Sequence, residues 1–195
     1  MVKTEDADYA QRLANEVWWK ALLDVQRPYR KHLQGLELGR VLEIGCGVGR
    51  NLLNLGASTE IIGVDHNPIS VAMARERGLS AFTVEEFLAS EHARKNYYDS
   101  VLIAHVLEHM KVDSARGLVA EYLPYLRQGG RLVIITPQQA GFDSDPTHVT
   151  MMDPPRVHTL LASLSLRVER QYSFPFPAFV GRIFKYNEYV AIARN

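Results

Sequence analysis

Short apolar runs alternate with helical stretches along most of this chain, and this alternation constrains the fold more than any other feature of the sequence. Strands joined through helices pair in parallel, and strands buried on both faces of a sheet are apolar almost throughout. The chain therefore predicts an α/β fold with a sheet covered by helices on both faces. The five predicted strands of this part are 41–44, 60–65, 79–84, 99–104 and 131–136.

The helices between these strands are marked by their ends. Asn67 and Pro68 suit the N-cap and the first helical position of one helix, which Gly78 ends. Upstream, residues 8–26 repeat apolar side chains every four positions, which predicts an amphipathic helix that Pro28 interrupts. A further turn is predicted from Tyr29 to Leu33. The other predicted helices are 50–55, 86–94, 114–126 and one that begins at Pro154.

The carboxyl-terminal part breaks the alternation. Two more apolar runs, 166–172 and 188–194, follow the helix at Pro154 with no helix between them. A strand pair without a helical crossover favours antiparallel pairing.

A glycine-rich loop, Glu43-Ile44-Gly45-Cys46-Gly47-Val48-Gly49, follows the first strand. Glycines let the backbone turn sharply and approach a ligand closely, and the next helix directs its free N–H groups at the same place. The loop has the spacing G-x-G-x-G rather than the dinucleotide pattern G-x-G-x-x-G, and Glu43 precedes it. A carboxylate repels a pyrophosphate and attracts an ammonium group, so the loop favours a cofactor with a methionine moiety over NAD.

Asp65 ends the second strand, twenty positions after Gly45. An acid at this place accepts hydrogen bonds from ribose hydroxyls. This prediction suits NAD and S-adenosylmethionine equally well.

These motifs together resemble those of class I S-adenosylmethionine-dependent methyltransferases. Val41–Gly49 is similar to the first motif of that family, and Gly63-Val64-Asp65 to the second. Tyr98–His109 is similar to the fourth motif, and Leu126–Leu132 to the turn before the fifth strand. Glu85 falls where the family often has an acid near the adenine, although Val84-Glu85 replaces the usual Gly-Asp pair and Glu86 competes for the role.

The resemblance implies a Rossmann-like seven-stranded sheet of order 3-2-1-4-5-7-6 with the last strand antiparallel. It implies one domain, with a helical cap in 1–38, a cofactor-binding core in 39–137 and an acceptor side in 138–195. S-adenosyl-L-methionine is the expected cofactor. The residues expected to contact it are Glu43, Gly45, Cys46, Gly47, Gly49, Asp65, His66, Glu85, Glu86, Ala104 and His105.

A sulfonium methyl is already activated, so the protein mainly aligns the two reactants, and a base is needed only for an acceptor that loses a proton. His105 and His148 are the candidate bases, whereas His109 is expected to have a structural role. His148 ends Asp145-Pro146-Thr147-His148, which resembles a stretch in methyltransferases from bacterial glycan and lipid clusters. Asp143 and Asp145 near it lack a second histidine-rich segment, so no metal site is predicted.

The acceptor is expected to be a small molecule, lipid or sugar, with transfer to oxygen. Lys and Arg number 22, as do Asp and Glu, so the balanced charge argues against a nucleic-acid partner. An aromatic segment, 174–179, suits an apolar acceptor wall.

A polar amino terminus and no long apolar run predict a cytoplasmic protein without a membrane span. The alternatives are a non-catalytic cofactor-binding domain of the same fold and an NAD(P)-dependent oxidoreductase. The sequence leaves the oligomeric state open.

Overall fold

The structure is a computed structural model, and it describes residues 27–56 and 60–194. The predicted helix at 8–26, with Trp18 and Trp19, lies outside the described residues. Within them, no helix is long and apolar enough to cross a membrane.

The described elements follow the predicted alternation of strands and helices. In chain order they are α1 (Arg27–Gly35), β1 (Val41–Ile44), α2 (Arg50–Leu55), β2 (Ile61–Asp65), α3 (Pro68–Glu76), β3 (Ala81–Thr83), α4 (Val84–Ala89), β4 (Tyr98–Ala104), α5 (Val112–Tyr122), β5 (Leu126–Pro137), α6 (Gln139–Asp143), α7 (Pro154–Ser163), β6 (Arg167–Phe174) and β7 (Glu188–Arg194). Short 3₁₀ turns lie at Leu107–His109, Leu123–Tyr125 and Ala178–Arg182.

The strands form a seven-stranded mixed sheet of order β3-β2-β1-β4-β5-β7-β6. The pairs β1–β2, β2–β3 and β4–β5 are parallel, whereas β7 is antiparallel to both β5 and β6. The predicted strand order and the antiparallel last strand are confirmed.

The chain divides after Ala93 into two compact units. In the first unit, the glycine loop and α2 pack on β2 and α3. Cys46, Leu52, Val71, Ala74 and Ala81 form a buried cluster there. Gly63 permits this packing, because a Cβ on it would lie 2.8 Å from the Cys46 side chain.

The second unit is built around β4, β5 and β7, whose central residues are almost entirely buried. Val101, Leu102, Ile103, Leu132, Val133, Ile134, Val190 and Ile192 are each at most 3% exposed. On α7, the apolar side chains Val157, Leu160 and Leu161 are buried as the sequence predicts.

Two predicted boundaries were wrong, each for a local reason. The turn predicted from Tyr29 to Leu33 is part of α1, whereas the predicted interruption at Pro28 concerns the helix at 8–26, outside the described residues. Helix α4 begins at Val84 and ends at Ala89, since Thr83 caps it in a capping box. Helix α5 ends at Tyr122, and Leu126 already pairs with Tyr98 as the start of β5.

Candidate functional site

The acid that precedes the glycine loop is buried at the end of β1. Glu43 is 1% exposed, and its Oε1 accepts a hydrogen bond of 2.6 Å from Nδ2 of Asn51. Its Oε2 has no hydrogen-bond partner among the described residues. Burial raises the pKa of Glu43 to about 8, against the hydrogen bond from Asn51 that lowers it. An uncompensated buried carboxyl of this kind suits a cationic ligand.

The loop itself turns through glycines in the left-handed region. Gly45, Gly47 and Gly49 have φ of 74°, 53° and 84°. A Cβ on Gly49 would contact the end of the Leu79 side chain, and the left-handed φ of 84° itself favours glycine at this position. A Cβ on Gly47 would meet no atom within 4 Å, so the space beside Gly47 is open.

Asp65 links the glycine loop to the start of α3. Its Oδ2 accepts 2.7 Å from the Gly47 N–H, and its Oδ1 accepts 2.8 Å from the Asn67 N–H. Asn67 caps α3 by accepting from the N–H groups of Ile69 and Ser70, as the sequence predicts. Each carboxylate oxygen of Asp65 has a second lone pair for a ligand hydroxyl.

Glu85 and Glu86 occupy different environments in the first turn of α4. Glu86 completes the capping box with Thr83 and forms an ion pair with Arg75. The hydrogen bond from Arg75 lowers the pKa of Glu86 to about 2. Glu85 is exposed. The sequence left two candidates for the acid near the adenine. Glu86 has a structural role in the helix cap, whereas the side chain of Glu85 is exposed.

Two further predicted cofactor residues lie beside these groups. His66 has a 52% exposed side chain, and its Nδ1 lies 3.5 Å from Oδ1 of Asp65. Cys46 belongs to the glycine loop and its side chain is buried, which raises the pKa of the thiol. This environment suits a small packing residue rather than a nucleophile.

In the second unit, Ala104 ends β4 and His105 follows it in the left-handed conformation, with φ of 58°. Nε2 of His105 lies 2.7 Å from Oε1 of Glu188, and its Nδ1 lies 3.3 Å from Oε1 of Glu108. The side chain is 37% exposed. Burial lowers the pKa of His105, but the two carboxylates outweigh it and raise the pKa to about 10. This pairing favours a charged imidazole over a neutral base.

His148 lies next to a histidine that the sequence analysis treated as structural. The ring centroids of His109 and His148 are 4.8 Å apart, and His148 stacks on Phe142. Nδ1 of His148 lies 2.7 Å from the carbonyl oxygen of Phe142, which only accepts, so in the neutral ring Nε2 is the basic nitrogen. Burial lowers the pKa of His109.

Neither Glu108 nor Glu188 was predicted from the sequence as a site residue. Glu108 is 0% exposed and lies between Leu107 and His109 in the fourth motif. Glu188 meets His105 across 83 positions of sequence. The position of Glu108 inside the fourth motif was a sequence signal for its role. The contact of Glu188 with His105 joins residues so far apart in the chain that no sequence signal predicts it.

A comparison with protein families decides the identity of the chain. The model of a family described as a methyltransferase domain matches residues 14–172, which is most of the chain. The chain belongs to this methyltransferase domain family. With its sheet order, it is a class I S-adenosylmethionine-dependent methyltransferase, and the predicted cofactor is confirmed.

Solved structures share the fold of the methyltransferase at low sequence identity. A SAM-dependent methyltransferase from Archaeoglobus fulgidus is 22% identical over 97% of this chain and 100% of that one, with a TM-score of 0.70. A TehB-like SAM-dependent methyltransferase from Corynebacterium glutamicum is 17% identical over 97% and 100%, with a TM-score of 0.69. The [4+2]-cyclase SpnF is 18% identical over 86% and 79%, with a TM-score of 0.63. No curated protein sequence matches this chain.

The first unit of the methyltransferase fits S-adenosylmethionine by two independent observations. The unpartnered Oε2 of Glu43 suits the cofactor's ammonium group. The open space at Gly47 is one that a side chain would fill and a closely approaching ligand can use.

Proposed function

We propose that the protein transfers the methyl group of S-adenosylmethionine to an oxygen atom of a small-molecule, lipid or sugar acceptor. The observation that carries the cofactor half of this proposal is the buried Glu43 carboxyl with one unpartnered oxygen at the start of the glycine loop. The cofactor supplies a methyl group on a positively charged sulfur. The residues of the chain bind this group, orient it and exclude water.

In this proposal, Glu43 accepts a hydrogen bond from the methionine ammonium of the cofactor, and the backbone from Gly45 to Gly49 lies against it. Asp65 accepts from the ribose hydroxyls through the second lone pairs of its oxygens. Because Asp65 also holds the Gly47 N–H, it fixes the loop and the ribose in one arrangement. Cys46 supplies a small side chain in the loop, and His66 lies at the ribose edge.

Glu85 is the better candidate for the adenine amino group, because Glu86 is held by Arg75 and by the Thr83 cap. Ala104 and His105 remain predictions as cofactor contacts. We keep the whole chain as one catalytic domain, with a cap in 1–38, cofactor binding in 39–137 and acceptor binding in 138–195.

The acceptor is proposed to carry an apolar portion. The segment between β6 and β7 exposes large apolar side chains, among them Phe179 at 72% and Ile183 at 87%. Several exposed apolar side chains in one short segment suit contact with an apolar ligand surface. The formal net charge of zero gives no general attraction for a polyanion.

His148 is the proposed base for a hydroxyl acceptor. Its Nδ1–H donates to the Phe142 carbonyl, so Nε2 presents the lone pair that takes the proton. His105 is held between two carboxylates that favour its charged form, and it suits a positioning residue.

The test uses cofactor labelled in the methyl group, incubated with the protein and a fractionated extract of lipids and small metabolites. We expect mass spectrometry to find one product class that has gained the labelled methyl group on oxygen. His148→Ala should keep the affinity for S-adenosylhomocysteine and lose about 10²–10⁴-fold in turnover. His158→Ala, an exposed histidine on α7, is the matched control with parental turnover. A labelled product methylated on nitrogen or carbon would overturn the oxygen assignment.

A second candidate is a protein of this fold that binds the cofactor without transferring its methyl group. The structural similarity to the [4+2]-cyclase SpnF supports this candidate, because a fold does not fix the reaction. Tight binding of S-adenosylmethionine together with no labelled product from any extract would favour this candidate.

A further inference from the structure

Three potential ligand groups converge in the second unit without being used for cofactor binding. Glu108 and His109 come from the turn after β4, and His148 comes from the loop after α6. Their carboxylate and imidazole ligand atoms all lie within 4.8 Å of one another. We call these three side chains the Glu-His-His cluster.

The carboxylate of the cluster is buried and has no hydrogen-bond partner. Glu108 is 0% exposed, and neither Oε1 nor Oε2 has a hydrogen-bond partner among the described residues. Nδ1 of His105 lies 3.3 Å from Oε1, which is ion-pair distance without hydrogen-bond geometry. No ion pair of this length involves Oε2 among the described residues. Burying a carboxylate is costly unless a cation compensates it. The imidazolium of His105 lies beside Oε1 only, so Oε2 remains open to a second cation.

Hydrogen bonds orient both imidazoles so that Nε2 is the basic nitrogen. Nδ1 of His148 donates to the Phe142 carbonyl. The Thr147 hydroxyl donates 2.7 Å to Oδ1 of Asp145, so its oxygen accepts, at 3.1 Å, from Nδ1 of His109. Metal-binding histidines are held in this way, with the second nitrogen donating to a carbonyl or to a group backed by a carboxylate.

The loop that carries His148 is attached to Glu108 by the backbone. The N–H groups of Val149 and Thr150 both donate to the Glu108 carbonyl, at 2.7 and 3.0 Å. The two halves of the Glu-His-His cluster are therefore held together before any ion binds, which reduces the entropy that an ion must overcome on binding.

We propose that the Glu-His-His cluster binds one divalent transition-metal ion of the Zn²⁺ class. Two imidazole nitrogens and one carboxylate oxygen form a donor set that such ions prefer over Mg²⁺ and Ca²⁺. Ligand atoms at about 2.0–2.2 Å from zinc stand roughly 3.3 Å apart, so the cluster closes by at most roughly 1.5 Å on binding. No metal site was predicted from the sequence, because Asp143, Asp145 and His148 lack a second histidine-rich segment; in the structure, His109 comes from a different part of the chain.

Three protein ligands leave coordination positions open for an exogenous oxygen. In this inference, the ion holds the Nε2 lone pair of His148, so in the metal-bound protein the ion binds and acidifies a hydroxyl of the acceptor at one of these positions, in place of His148 acting as the base. This step rests on the proposed function. Metal binding itself does not depend on methyl transfer.

The test measures Zn²⁺ binding to chelator-treated protein by calorimetry, with S-adenosylhomocysteine titrated into the same samples. We expect one Zn²⁺ per chain, unaffected by excess Mg²⁺. His148→Ala and Glu108→Gln should each weaken Zn²⁺ binding by about 100-fold or more, since residues that only orient metal ligands are worth about 10–100-fold. His158→Ala is the control and should bind Zn²⁺ like the parent protein.

Thr147 provides a test that leaves the ligands in place. Thr147→Val should weaken Zn²⁺ binding by about tenfold, and Thr147→Ser should restore it. Absorption of the Co²⁺-substituted protein should lose its bands from metal–ligand coordination in His148→Ala.

Parental Zn²⁺ affinity in both His148→Ala and Glu108→Gln would overturn the metal site, as would the lack of stoichiometric binding by the parent. If Glu108→Gln fails to fold, seen as lost binding of S-adenosylhomocysteine, His148→Ala decides the question. If the parent binds Zn²⁺ but not S-adenosylhomocysteine, the proposed function fails and the metal site stands.

Discussion

Binding of S-adenosylhomocysteine should release part of a proton from Glu43 near pH 7. Burial raises the pKa of this carboxyl to about 8. The hydrogen bond from Asn51 lowers it, the charge of Asp65 raises it, and the charge of Arg50 lowers it. The carboxyl is therefore mostly protonated at neutral pH before the cofactor binds, and an adjacent ammonium group favours its ionised form.

The size of the release follows from these two states. A group with a pKa of about 8 is about 90% protonated at pH 7. An opposite charge within about 4–6 Å lowers a carboxyl pKa by about 1–3 units, which leaves about 1–50% protonation. We therefore expect release of about 0.4–0.9 proton per bound ligand at pH 7.

The assay is calorimetry at pH 7 in several buffers of different ionisation enthalpy, because the dependence of the observed enthalpy on the buffer gives the number of protons. Glu43→Gln should abolish the release and weaken the affinity. Glu121→Gln, a change at an exposed glutamate on α5, is the matched control with parental release. Equal release from Glu43→Gln and the parent would refute the placement of the ammonium group beside Glu43.

Four further outcomes test the same unit. Asp65→Ala should weaken binding of S-adenosylhomocysteine at least about tenfold, because charged hydrogen bonds are worth about 1.5–3 kcal/mol each; parental affinity by calorimetry would exclude the ribose role. Gly47→Ala should cost about 1 kcal/mol of stability at its positive φ, yet should lose cofactor binding; parental affinity would mean that the open space is unused. Glu85→Ala should weaken binding, whereas Glu86→Ala should lower the melting temperature at parental affinity; the reverse would exchange their roles. Without cofactor, the parent's free energy of unfolding should fall as pH rises from 4.5 to about 8, since the folded state holds the Glu43 proton more tightly; denaturation of Glu43→Gln should lack this fall, on the order of 4 kcal/mol.

The sheet was predictable because its central strands are buried on both faces. Val101 to Ala104 and Leu132 to Ile135 are apolar without interruption, as is typical of strands that are covered on both faces of a sheet. The glycine loop was predictable for a related reason. Its three glycines adopt positive φ, and such a requirement is visible in the residue type.

The boundaries that were wrong depend on competition between neighbouring signals. Leu126 continues the apolar face of α5, so periodicity alone assigned it to the helix. Pro124 ends that helix earlier, and Leu126 starts β5 before the register with β4 shifts between Tyr98 and Ser100. Periodicity describes one element at a time and does not show where pairing with another strand takes over.

The histidine environments were beyond the sequence because they depend on distant partners. His105 owes its raised pKa to Glu188 and Glu108, and Glu188 lies on the last strand. His109 was expected to be structural, and its neighbour His148 comes from a separate loop. Such groups meet only after the sheet has formed.

The His148 loop is held in place by backbone hydrogen bonds, so its position does not depend on which side chains it carries. The two N–H groups that hold it belong to Val149 and Thr150, and every residue except proline supplies such a group. The Val149 side chain is 54% exposed, so its replacement leaves the attachment in place. A library varied at Val149 can therefore be screened for new acceptors without moving His148, and related enzymes can diverge there at little cost in stability.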